Sequence, residues 1–484
     1  MRFNGFIGPS YTLQSLDADC QNTVNWYPEA NDLGTGKEQE QMFLAPTPGL
    51  KLFATLPQGP VRGVWRSSSG ELYVVGGNKF YKVSSTGMVT ELGQLNTSTG
   101  PVSIADNGLQ IIIVDGPNGY FFTLASGMFN VITDPDFPGA DQVTFQDGYF
   151  IFNQINSQRF FISGLNDVTF DGLDIATAEA SPDLLVGLIS SNQNLYLFGS
   201  QSIEVYYNSG DADFPFQRIQ GAVVNVGCSA PFSIYQLPGG TLVWLGGDAS
   251  GVGIVYKMVG YQAQRVSNSA VEASIRALTI AQIAQARAWV YQQSGHVFYV
   301  LSIPGLAYSW VLDLSNNLWH QRAYLNPTNL NPAGLERHRA DCQIVVYGVN
   351  MVGDYENGKL YALDPNTLTD DGVAIKRLRT APHLTKGLRN IFHSSFQLDM
   401  EVGVGLDGVG QGTDPQVMLQ WSNDGGHTWS NEHWRSIGKI GEKKKRIIWR
   451  RIGRARDRVY RVMITDPVKA VLLGAELGVE EGVS

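Results

Sequence analysis

The chain has 484 residues, 43% of them apolar and only 16% charged, with 54 glycines and a net charge of −9. That apolar content excludes a disordered chain, and at roughly 150 residues per domain the length sets an expectation of two to four domains. Charge this sparse, well under the roughly 25% of an average soluble protein, points beside so much glycine to turn-rich β structure, and the excess of 44 acidic over 35 basic residues argues against the whole molecule gripping nucleic acid.

Cys20, Cys228 and Cys342 are far apart and odd in number, which fits free thiols made in a reducing cytosol better than a zinc site or a disulfide framework. The N-terminal MRFNGFIGPSYTLQSL has no apolar core of about 7 to 15 residues, and no run of about 18 apolar residues occurs anywhere. Neither an export signal nor a membrane span is expected.

Residues 1–58 carry GPS, NTVNWYPEAND and LAPTPGL, rich in Pro, Asn and Gly, with aromatic anchors at Trp26 and Tyr27. They read as an extended arm rather than a domain, able to latch onto a neighbour or to wrap its own propeller. Across 59–368 the sequence repeats: a polar turn, an apolar or aromatic strand, a second turn and a second aromatic strand. ELYVVGG with NKFYKVS, LQIIIVDG with NGYFFTL and YFIFNQ with SQRFFIS are the first three units. LYLFGSQS with IEVYYNS, TLVWLGG with GIVYKMV, HVFYVLS with YSWVLDL, and CQIVVYG with ENGKLYALD complete seven.

The first turns fall at Gly70, Gly108, Gly148, Asn194, Gly240, Gly295 and Asp341, so successive positions differ by 38 to 55 residues. A four-stranded propeller blade needs about 40 to 50, and the expectation is a β-propeller of seven blades, six to eight at the limits; a large sandwich is the alternative. Gly246, Gly247, Gly251 and Gly253 read as a lengthened loop in the fifth unit, and GVNMVGDYENG as another in the seventh. Between the fifth and sixth units, Ser269 and Glu272 have the spacing of a capping box before ASIRAL and AQIAQARA, a helix suited to cover a groove between blades.

Residues 369–484 carry six strand patterns in SSFQLDMEVGVG, PQVMLQWSNDGG, HTWSNEHWRSI, KRIIWRRIG, RVYRVMITD and AVLLGAELGV, the pattern of a β-sandwich-like domain. The fold class is therefore all-β. Charge is uneven here: Arg435, Lys439, Lys443, Lys444, Lys445, Arg446, Arg450, Arg451, Arg454, Arg456, Arg458 and Arg461 stand against Glu442 and Asp457, a balance of +10. Subtracted from −9, this leaves −19 on the rest of the chain. Such a stripe suits phosphates or the acidic surface of a neighbouring copy; strand alternation, which sets Arg446, Arg450 and Arg454 on one parity, favours subunit pairing.

Motifs of catalysis are weak throughout. Gly403, Gly405 and Gly408 match a dinucleotide fingerprint, but VGQGTDPQV follows where a helix must open. Gly34-Thr35-Gly36-Lys37 lacks the Ser or Thr that a phosphate-binding loop requires next. The seven histidines, none before His296, show no metal spacing, so no metal, cofactor or catalytic residue is assigned. Asp134 with Asp136, Asp211 with Asp213, and Asp370 with Asp371 have the composition of a glycosidase pair, but sit in turn-like stretches where Asp is structurally favoured. Ser422, Asp424, Gly426, Thr428 and Trp429 fit the Asp-box hairpin, whose side chains bond local backbone.

NTVNWYPEAND with PTPGL, RVSNSAVEASIRAL, YENGKLYALD, and above all LQWSNDGGHTWSNEHWRSIGKIGE with IIWRRIGRARDRVYRVMITDPVK resemble the packaged-DNA stabilisation proteins of short-tailed bacteriophages, also called tail accessory factors, hubs or nozzles. The resemblance implies a non-enzymatic virion protein of the phage tail, made in the bacterial cytoplasm. It implies a homo-oligomeric ring of six copies below the portal and its adaptor, the head-to-tail connector. Such a ring retains the genome, lets double-stranded DNA pass without sequence-specific binding, and carries a needle or plug and tailspikes or fibres. Other classes are a propeller glycosidase, sialidase-like, and a glycan-binding propeller.

Overall fold

The structure, a computed structural model, describes residues 1–30, 42–178, 181–248, 251–326, 328, 334–387 and 389–482; the Gly34–Lys37 motif lies outside them. Seven sheets follow one another around a ring. Blade 1 is Val61–Arg66, Leu72–Gly76, Lys79–Val83 and Val89–Gln94, each strand antiparallel to the next. Blades 2, 3 and 4 repeat this order over Ser103–Val131, Val143–Thr177 and Leu185–Val224. In blade 5, Gly227–Cys228 and Tyr235–Gln236 share the innermost place beside Leu242–Asp248. Blade 6 begins at Arg287–Gln293 and ends at Leu318–Leu325.

Blade 7 supplies only three strands from its own stretch, Ala340–Val346, Val349–Asp354 and Lys359–Asp364. Its fourth is Gly49–Thr55, antiparallel to the last of these with Lys359 opposite Thr55 and Asp364 opposite Gly49. Residues expected in an arm thus close the ring, so that parting blade 7 from blade 1 would require breaking that ladder.

Two glycine readings change with it. GVNMVGDYENG is not an inserted loop but contains the second strand of blade 7, and Asp341 lies in that blade's innermost strand rather than at its turn, which Tyr347 and Gly348 make with φ of 54° and 77°. A Cβ on Gly353 would come within 2.3 Å of Val61, so the glycine admits blade 1. Gly246 and Gly247 likewise lie in the strand Leu242–Asp248, and Gly251 and Gly253 in Gly251–Val259; a Cβ on Gly246 would meet the Tyr256 ring at 2.7 Å.

The helix spans Ser269–Arg276, but its cap is Asn268, whose Oδ1 accepts from the Ala270 and Val271 amides at 3.1 Å. Glu272 reaches Arg265 and the Ser267 hydroxyl instead of the cap. A capping box does occur one helix later, between Thr279 and Gln282. Val271, Ile275 and Ile283 pack with Val243 and Val255 of blade 5 and Tyr299 and Trp310 of blade 6, so the helices cover that junction.

All six C-terminal strand patterns form strands, in two sheets. One runs Trp26–Ala30, Met42–Pro46, Leu472–Glu481, Ile391–Met400 and Ile447–Arg450. The other runs Cys20–Val24, Arg377–Thr380, Asp457–Ile464, Gln416–Ser422 and His433–Ser436, and Val24 also pairs in parallel with Gln321 of blade 6. Blade 6 and this sandwich sheet are therefore one continuous sheet through the N-terminal segment. Phe6, Trp26, Leu44, Phe396, Trp449, Tyr460 and Leu472 form the core between the sandwich sheets.

Candidate assembly interface

Trp26 and Tyr27, expected as anchors, are 0% and 3% exposed. Trp26 donates its indole N–H to Ala470 O at 2.7 Å in the sandwich core, and Tyr27 packs edge-on to Phe298 of blade 6. Both serve the intramolecular joint, and neither offers a surface to a neighbour.

The basic run lies at the opposite edge of the same sheet. Ile447–Arg450 is the outermost strand of its path, with Ile447 and Trp449 buried and Arg450 exposed. Before it, the turn 438–446 carries exposed Lys439, Lys443, Lys444, Lys445 and Arg446, and after it come exposed Arg451, Arg454 and Arg456. Among the twelve basic residues only Arg458 is buried, donating to Ile452 O, Arg454 O and Asn423 Oδ1, while half-buried Arg461 lies 3.8 Å over the Trp429 ring and bonds Gln420. Arg458 is thus a brace for the strand it follows rather than part of the surface.

Glu480 lines one surface pocket with Arg451 and Arg454. Lys445 meets Glu442 at 3.7 Å, and Arg446 donates to the Gln397 amide at 2.8 Å. Strand alternation does not foretell the apolar groups exposed in this stretch: Trp434 and Ile440 are 50% and 58% exposed. Trp434 was hidden by its place in a strand pattern, where alternation predicts an inward or outward face but not that the outward one is uncovered.

The Asp-box is a closed turn. Ser422 Oγ donates to Asp424 Oδ1 at 2.6 Å and accepts from Gly426 N at 2.8 Å; Asp424 Oδ1 also accepts from Thr428 N at 2.9 Å. Hydrogen bonds from Ser422 and Thr428 hold the Asp424 carboxyl well below the usual range. The Ser422, Asp424 and Thr428 side chains thus bond within the turn itself. Gly403, Gly405 and Gly408 lie between Met400 and Gln416 in a loop, where a Cβ on Gly405 would strike Thr413 O at 2.5 Å.

Cys20, His383 and Asp457 come together in a spacing that sequence could not show. His383 Nδ1 lies 2.7 Å from Asp457 Oδ2, and Nε2 lies 3.6 Å from Cys20 Sγ. The chemistry is not that of a nucleophile: Nε2 is 2.8 Å from Leu16 O, to which it must donate. Burial, then the neighbouring Asp19 and Asp457 charges, push the thiol up to about 12, whereas an activated cysteine is pulled down. His383 is raised instead: burial opposes its charge, but the bonds to Asp457 and Leu16 O outweigh that. His296 behaves alike, with burial overcome by Glu29 at 2.9 Å and Asp313 at 2.7 Å. Both imidazoles clamp the N-terminal segment.

The propeller's central cavity, about 640 Å³, is lined by the innermost strands of the blades. Its carboxylates are spent. Asp106 accepts from Trp65 Nε1 at 2.9 Å and Ser68 N at 3.0 Å, and Asp341 meets Arg337 at 3.1 Å and Arg287 at 3.6 Å. Asp134 and Asp211 each accept from the amide two residues on, Asp370 accepts from Leu50 N and Asp371 from Lys359. Among the described residues, no group of three or more His, Cys, Asp or Glu could hold a metal ion, and no helix is long and apolar enough to cross a membrane.

The fold is that of a β-propeller joined to a β-sandwich that carries an exposed basic edge. The family described as bacteriophage P22 Gp10, beta-propeller, matches residues 13–368, and its companion, bacteriophage P22 Gp10, beta-sandwich, matches residues 376–480. The chain belongs to this Gp10 family of phage tail proteins that stabilise packaged DNA. No curated protein matches it. Among solved structures, the Swd1 (Cps50) propeller of Myceliophteria thermophila is 8% identical, covering 65% of this chain and 98% of its own, at a TM-score of 0.40. The WD40 propeller of Doa1 is 10% identical, over 65% and 96%, at 0.41. The extracellular domain of BT4673 from B. thetaiotaomicron is 10% identical, covering 86% of this chain and 58% of its own, at 0.43.

Proposed function

We propose that the protein is a tail hub or nozzle, assembling as a six-copy ring on the portal-adaptor after packaging, retaining the genome and carrying needle and tailspikes or fibres. The observation that supports this is the exposed basic edge of the sandwich, with Trp434 and Ile440 exposed in the same stretch, on a chain that is otherwise −19. Complementary charge of this kind steers association and fixes register more than it adds affinity. A body so acidic repels passing DNA and lets it slide; this requires Asp and Glu to outnumber Lys and Arg on the lumen wall of the ring.

The test is neutralisation of Arg450, Arg451, Arg454 and Arg456 to Gln. Electron microscopy of the chain mixed with portal and adaptor should show a six-fold ring for the unaltered protein and none for the variant, whose melting temperature stays unchanged. Rings of normal occupancy from the variant would remove the basic edge from the interface.

A further inference from the structure

Where blade 6, the ring-closing strand and the sandwich meet, buried polar side chains face one another without partners. Val24 registers with Gln321 on one side and Leu378 on the other, which places Asn25 between Arg322 and Arg377. Both arginines are fully buried, at 1% and 0% exposed. Arg322 donates one bond, from Nη2 to Pro48 O at 2.8 Å. All three nitrogens of Arg377, both ring nitrogens of His320 and His338 Nε2 have no hydrogen-bond partner, while the Tyr291 hydroxyl lies against the Arg322 guanidinium. His338 Nδ1 accepts from Ala340 N, so its Nε2 carries the proton and is a further donor.

The other buried arginines show what satisfaction looks like in this fold. Arg379, two residues along the same strand as Arg377, donates to Phe6 O, Pro9 O, Gly5 O, Thr23 Oγ1 and Gln21 Oε1. Arg62 donates to Gly100 O, Gly77 O, Thr97 O and Thr97 Oγ1. At the joint Asp370 feels both Arg322 and Arg377, forms no hydrogen bond with either among the described residues, and has one oxygen already taken by Leu50 N at 3.2 Å. Burial pushes the Asp370 carboxyl up to about 6 despite the pull of both arginines. Two guanidiniums against one carboxylate enclose a charge of about +1, and an unpaired buried cation is costly.

We propose that Arg322 and Arg377 hold a small monovalent inorganic anion, of chloride's size and charge, at the joint of propeller, N-terminal segment and sandwich. One negative charge cancels the enclosed excess, and a spherical acceptor takes N–H donors from several directions at once. His338 Nε2 supplies a neutral donor from the propeller side. Because Arg322 belongs to blade 6 and Arg377 to the sandwich, the anion fastens one domain to the other. This is independent of the basic edge and of any ring.

Crystals of the full chain grown in sodium bromide and measured at the bromine absorption edge provide the test. The expected result is an anomalous peak within hydrogen-bond distance of Arg322 Nη1 and the Arg377 guanidinium; ordered water there without anomalous signal would overturn the proposal. In solution, replacing gluconate by chloride at constant ionic strength should raise the melting temperature by a few degrees. Arg377→Met should abolish that dependence, and equal melting temperatures in both salts for the unaltered chain would count against the site. Should Arg377→Met fail to fold, the bromide map decides alone.

Discussion

Arg379→Met tests how the N-terminal segment is held. The guanidinium is 0% exposed and reaches five acceptors between Gly5 and Thr23, at 2.6 to 3.0 Å. Burial pulls its pKa down to about 9, so it remains charged at neutral pH and the bonds are charge-assisted. Methionine fills the stem's volume and donates nothing. Phe6 O loses its donor in a fully buried setting, at about 1–3 kcal/mol, while the acceptors nearer the surface recover water. Some of the loss is offset, because the burial cost of the guanidinium disappears too. The net expectation is about 3 kcal/mol, concentrated in residues 5–23. Hydrogen exchange followed by mass spectrometry should show those amides opening while blades 2 to 4 keep their protection. Unchanged protection over 5–23, with a urea midpoint within error of the unaltered chain, would refute the claim that one arginine anchors the segment.

Four further perturbations probe the ring closure, the buried histidines and the Asp-box turn. Gly49→Ala would place a Cβ 2.3 Å from Thr367 O and 2.5 Å from Thr369 O, both backbone; it should cost about 1–3 kcal/mol and expose Gly49–Thr55 and Lys359–Asp364 together to limited proteolysis. His296 and His383 have raised pKa values, so the stability they contribute is complete below about 6.5 and is lost as pH rises through their folded values; Glu29→Gln should flatten that alkaline limb in a urea-midpoint profile. Burial lowers His320 to about 3 and His393 to about 4, so these neutral imidazoles destabilise the fold as pH falls below about 6.5, and His393→Phe should lessen that acid sensitivity. Asp424→Asn should speed exchange at residues 422–428 alone and leave assembly intact, since its bonds stay within the turn.

Hairpin chemistry made the blades legible. Gly70, Gly108, Gly148, Gly240 and Gly295 all take φ between 84° and 92°, and each sits between two apolar strands a few residues long. The sandwich strands were legible for the same reason. Non-local pairing was not. Gly49–Thr55 has no hairpin partner in its own stretch, and its ladder mates lie some three hundred residues on at Lys359–Asp364, so its apolar residues looked like part of a Pro-rich arm. Nothing local in sequence decides whether the Trp26 anchor serves a neighbour or its own chain, because its partner, Ala470, is remote in sequence. Glycine misled in the opposite direction: at Gly246 and Gly353 it marks a neighbour's close approach inside a strand, which composition cannot distinguish from a loop.

The same distinction separates two kinds of arginine. Those in the run from Arg435 to Arg456 were conspicuous by clustering, and they are exposed with few partners. Arg62, Arg322, Arg377 and Arg379 are isolated in sequence and carry no pattern, yet each is buried at a seam between blades or between domains. Arg62 and Arg379 are held by the acceptors around them, and Arg322 and Arg377 by the anion proposed for the joint, so each holds together elements that the chain order keeps apart. Substituting clustered and isolated arginines should therefore give opposite results: the first set changes what the folded molecule meets, and the second changes whether it stays folded.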